Sequence, residues 1–121
     1  MSDREGVVEP THYAYRVVWS VEDAAFVATC SEFPSLSWVA KTQVKALHGL
    51  EALLREVLAD LAASGEDAPI PLAERHYSGK FNLRIGESLH RQLAMEAAAE
   101  ALSLNQYVVR KLTPTPPPLR H

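Results

Sequence analysis

The stretch KFNLRIGESLHRQLAMEAAAEALSLNQYVVRKL, Lys80 to Leu112, changes its periodicity part of the way through. In Lys80–Ile85 polar and apolar residues alternate. Phe81, Leu83 and Ile85 fall on one face of an extended chain, and Lys80, Asn82 and Arg84 on the other. From Leu89 the apolar residues recur at helical spacing: Leu89, Leu93, Ala97 and Ala101 predict a helix of about fifteen residues. Ser103 followed by Gln106 is a capping box, with Leu102 and Tyr107 placed as a hydrophobic staple. A second helix is therefore expected to start at Ser103 and run through Leu112. The reading is strand, helix, helix.

One strand with an apolar stripe cannot fold alone, and no second strand follows it. Pairing with the same strand of a second copy is the economical solution. It gives an antiparallel ribbon and a twofold dimer whose core holds Phe81, Leu83 and Ile85. A two-stranded ribbon fits the major groove of B-DNA, where Asn can pair with adenine and Arg or Lys with guanine. Lys80, Asn82 and Arg84 are thus candidate base readers, although a solvated strand face accounts for the same three residues. The amides of Leu104 and Asn105, at the start of the second helix, are candidate phosphate anchors.

The charge is divided along the chain. The formal net charge of −3 combines six Lys/Arg and twelve Asp/Glu in residues 1–75 with six and three in residues 76–121, balances of −6 and +3. Such a division suits a basic end that meets a polyanion and an acidic body that meets a basic partner. At 121 residues the chain has room for one ordinary domain or two small ones. No apolar run approaches the roughly 18 residues that span a bilayer, and the polar start MSDREGVVEP does not read as a signal peptide. Cys30 is the single cysteine, which rules out an internal disulfide and suits a cytoplasmic protein.

Upstream, His12–Val21 and Ala25–Cys30 read as strands around a Glu22-Asp23 turn, with Leu36–Ala40 as a third. Val44, Leu47, Leu50, Leu54, Leu58 and Leu61 mark an amphipathic helix, with Thr42 as N-cap, Gly65 as terminator and Gly49 as a point of close approach to the sheet. The expected organisation is α+β. A flexible start at 1–11 precedes a β-β-β-α domain at 12–72, a linker at 73–79, a strand-helix-helix domain at 80–112 and an unpacked Pro-rich tail at 113–121.

Enzyme signals are weak. Glu22, Asp23 and Glu32 fall at turns or strand ends, and YAYRVVW lacks the inward acidic residue that a Mg²⁺-dependent nuclease site needs. His12, His48, His76, His90 and His121 are scattered. No catalytic residue, metal ligand or cofactor is assigned.

Lys80–Leu112 resembles a ribbon-helix-helix domain of the Arc and MetJ kind, carried by Phe81-Asn82-Leu83-Arg84 and Ser103-x-Asn105. Gly86 departs from that pattern, which often has Pro at the start of the first helix. The hairpin, Glu32-Phe33-Pro34-x-Leu36, the Leu-rich helix and Pro69-x-Pro71-Leu72-Ala73-Glu74-Arg75 resemble HicB antitoxins. That resemblance implies a degenerate ribonuclease-H-like first domain, a HicA-like mRNA-cleaving toxin as partner and repression of the chain's own operon through operator DNA. It ties no toxin contact to particular residues. A stand-alone regulator with an acidic sensory or oligomerising domain is the alternative. Assembly beyond the dimer, to a tetramer through the first domain, is left open.

Overall fold

A computed structural model describes residues 8–115. Among the described residues the fold is α+β, with one three-stranded antiparallel sheet and three α-helices: β1 (Tyr15–Ser20), β2 (Ala25–Cys30), β3 (Ser37–Ala40), α1 (Gln43–Ala63), α2 (Glu87–Ala99) and α3 (Leu104–Leu112). The chain divides into two compact units, residues 1–78 and 79–121.

In the first unit the strands lie in the order β1-β2-β3. Tyr15 pairs with Cys30 and Ser20 with Ala25, so four residues close the hairpin, with Ala24 in the left-handed region at φ 49°. β1 begins three residues later than the sequence suggests. Pro10–His12 form a 3₁₀ turn instead, because Pro10 suits the first turn position and the Glu9 carboxylate accepts from the Thr11 amide.

α1 lies against one face of the sheet. Thr42 caps it through the Lys45 amide, 3.1 Å away. Its end is a Schellman turn, in which Gly65 (φ 73°) donates to Ala62 and Glu66 to Leu61. Ala46, Leu50 and Leu54 pack at four-residue spacing against Tyr13, Ala28 and Cys30, all with 4% exposure or less. Full burial of Leu50 and Leu54 contributes about 1.5–3 kcal/mol each. Val44, expected in this stripe, is 62% exposed. It lies roughly 200° around the helix from Ala46 and so points away from the sheet.

Among the described residues of the first unit, no helix packs on the opposite face of the sheet. Val18, Val27 and Val39 form one cross-strand row there, with Val18 40% and Val39 50% exposed. Trp19 and Trp38 take positions on the α1 side of the sheet and remain partly exposed. Trp19 meets Phe26 edge to face, ring centroids 5.1 Å apart.

In the second unit α2 and α3 pack through Ala97 and Tyr107, which are 2% and 4% exposed. α2 has thirteen residues, two fewer than expected. It ends in another Schellman turn, with Ala101 donating to Ala98 and Leu102 to Ala97. Ala101 therefore sits at φ 58° beyond the helix rather than on its apolar stripe.

Candidate nucleic-acid and dimer interface

Residues 80–86 lie outside any helix or ladder. A ladder needs a second strand, and no other described segment of the chain supplies one to Lys80–Ile85. The alternation remains visible in what the segment leaves open. Phe81 is 78% and Leu83 64% exposed, while Ile85 is half-buried. Asn82 and Arg84 are exposed between them.

Phe81, Leu83 and Ile85 line a groove continued by Leu93, Leu104, Val108 and Leu112 from α2 and α3. His90 also borders this groove, a position that spacing along α2 alone does not identify. Leu112 is 64% and Val109 62% exposed. For a unit of some forty residues this is a large apolar surface left in water. Gly86 turns the chain into α2 at φ 84°, ψ 159°, a conformation open only to glycine, and it supplies no side-chain cap. That is the physical content of the departure from proline noted above.

The capping box at α3 is formed in both directions. Ser103 Oγ accepts from the Gln106 amide at 3.1 Å, and Gln106 Oε1 accepts from the Ser103 amide at 3.0 Å. The cap takes the Gln106 amide and places Leu104 and Asn105 in the first turn of the helix.

Part of the basic charge is already paired inside the unit. Arg110 bonds the Glu100 carboxylate, and Lys111 Nζ lies 3.7 Å from Glu96. Tyr107 Oη donates to Glu96 Oε1 at 2.5 Å. That hydroxyl, then the Gln92 amide and Lys111, hold the Glu96 carboxyl below the usual carboxylate range. The two cations also flank the Tyr107 ring, 5.8 Å and 5.6 Å from its centroid. The sequence shows Arg110 and Lys111 only as charge; their partners follow from helix packing.

In the first unit Glu22 and Asp23 sit in the hairpin turn, and Asp23 accepts from Ser20 Oγ. Cys30 is 1% exposed, and burial pushes its thiol pKa up, which keeps it neutral. His48 is exposed on α1. Among the described residues no three His, Cys, Asp or Glu side chains come together to hold a metal, and no helix is long and apolar enough to cross a membrane.

Compared with known proteins, the chain matches the HicB family over residues 63–112, from the last residue of α1 to the last of α3. The sheet lies outside the matched region. No curated protein and no solved structure matches the chain.

Proposed function

We propose that this chain is a HicB-type antitoxin that binds operator DNA as a dimer through its second unit and masks a basic ribonuclease toxin with its first. The family match over residues 63–112 supports the antitoxin reading. The observation that carries the dimer is the exposure of Phe81 and Leu83 above an apolar groove, in a segment without a strand partner in its own chain. A second copy pairing its residues 80–85 would complete the ladder and cover both side chains. It would leave Lys80, Asn82 and Arg84 on the outer face, with the first-turn amides of α3 near Leu104 and Asn105 for a phosphate. The acidic first unit is suited to a basic protein partner, with the Val18–Val27–Val39 row as apolar contact surface. The chain is proposed to act in the cytoplasm, and no catalytic step is assigned to it.

The test is anisotropy binding of the full chain to the DNA upstream of its gene and to a scrambled duplex of equal length. Preference for the upstream duplex, lost in Asn82→Ala, supports the repressor reading; equal weak binding to both overturns it. A short basic protein encoded beside this gene, co-purifying with the chain, supports the antitoxin half.

A second reading is a stand-alone regulator whose first unit senses a ligand or oligomerises the protein. The match leaves the sheet uncovered, and that favours this reading. Operator binding with no neighbouring toxin gene would select it.

A further inference from the structure

Glu32 stands in the turn two residues beyond β2 and carries three bonds. Its Oε2 accepts from the Leu72 amide at 2.8 Å, forty residues along the chain. Its Oε1 accepts from the Ala14 amide at 3.0 Å and from Cys30 Sγ at 3.4 Å. Two further contacts hold the same distant segment. Tyr13 Oη donates to the Pro69 carbonyl at 2.8 Å, and His12 Nδ1 lies 2.5 Å from Glu74 Oε1. Pro71 is fully buried between these points. The segment is also braced internally, by Arg75 Nε on the Ile70 carbonyl and Tyr77 Oη on the Leu72 carbonyl. Pro69–Tyr77 is therefore a strap fastened to the first unit, and it includes most of the segment 73–79 that reads as a linker.

We infer that Glu32 is the latch of this strap, which has a docked form and a released form, and that release lengthens the tether to the second unit. Docked, the tether starts at Ser78; released, it starts near Ala68. The ten added residues give the second unit roughly 30 Å more contour. That changes the effective concentration at which the two units engage separate targets. Strap bonds reach His12 and Tyr13 before β1 and Glu32 beyond β2, so none of them is a rung of the sheet ladder. This latch stands whether or not the antitoxin reading holds.

The experiment is limited trypsin digestion of the full-length protein, scoring cleavage after Arg75 against cleavage after Arg55 within α1, together with hydrogen exchange at the Leu72 amide. Glu32→Gln keeps the size of the side chain and removes its charge. It should raise cleavage after Arg75 and exchange at Leu72 by about tenfold or more, as expected for loss of a charge-assisted bond, with Arg55 unchanged. Equal cleavage after Arg75 in both proteins, with Leu72 exchange unaltered, overturns the latch. If Glu32→Gln exposes Arg55 as well, the strap is not a separate element in that variant, and Tyr13→Phe decides. Tyr13→Phe keeps the ring in the core and removes only the Pro69 bond. Selective cleavage after Arg75 in Tyr13→Phe supports the strap; unchanged or global cleavage overturns it.

Discussion

Trp38 and Gly49 share one space: a Cβ built on Gly49 would lie 2.0 Å from the Trp38 indole Nε1 and 2.2 Å from Cδ1. Trp38 pairs with the buried Ala28 in the sheet, and its indole occupies the room that the missing side chain on α1 leaves. The glycine, unfavourable within a helix by about 1 kcal/mol, is required by the indole.

Gly49→Ala should therefore destabilise the protein despite the better helix propensity of alanine. Overpacking costs about 1–3 kcal/mol and propensity returns up to about 1, so a net loss of about 1–2 kcal/mol is expected in urea unfolding. Trp38→Leu in the same chain should recover part of it. A Gly49→Ala protein more stable than the parent would show that the indole moves aside freely.

Ala101→Gly should have the opposite sign. Ala101 holds a left-handed conformation at the Schellman turn of α2, where glycine is the preferred residue. Removing its Cβ should stabilise the second unit by about 0.5–1 kcal/mol. Thermal unfolding followed at the Tyr107 signal is the measurement.

On the proposed dimer, Leu83→Asp should abolish dimerisation in sedimentation equilibrium, because the ribbon would bury a charge in its core. Asn82→Ala should leave the dimer intact and lower operator affinity by about 1–3 kcal/mol, roughly 5- to 150-fold. A dimeric Leu83→Asp protein would locate the pairing surface elsewhere.

Acid should open the strap. Partial burial works against the charged form of Glu32, but bonds from the amides of Leu72, Ala14 and Glu32 itself outweigh it and leave the carboxyl below its usual value of 4.5. A depressed folded value means that the stabilisation is in place above about pH 4.5 and is lost as pH falls through the lower folded value. The nearby Cys30 thiol and Tyr13 hydroxyl stay neutral in that window, with burial raising both and Tyr13 reaching about 12. The protection factor of the Leu72 amide should drop as pH falls below 4.5, and in Glu32→Gln this acid step should shrink.

Local features of this fold were legible in the sequence, and distant ones were not. The hairpin, the Thr42 cap, the Gly65 terminator and the Ser103–Gln106 box each depend on residues within a few positions of one another, so period and capping chemistry disclose them. Gly49 could be read as a close approach, but not the indole that demands it. The strap escaped because Glu32 and Leu72 stand forty residues apart and their bond leaves no periodic trace. The alternation in Lys80–Ile85 was plain, yet no described segment of the same chain pairs with it. Val44 and Ala101 were misplaced on apolar stripes because spacing does not show where a helix turns from its support or stops.

The pairing of Arg110 with Glu100 and of Lys111 with Glu96 reaches beyond the packing of α2 on α3. A polyanion gains much of its affinity for a protein by releasing condensed counterions, and each cation that neutralises a phosphate adds about 0.9 to the logarithmic salt slope. Arg110 and Lys111 already neutralise carboxylates, so neither adds to that slope without first giving up its partner. If the chain binds nucleic acid as the proposed dimer, withholding four such cations should make the slope about 3.6 units shallower than the formal count of basic residues implies. Its grip on nucleic acid would then fade slowly as ionic strength rises.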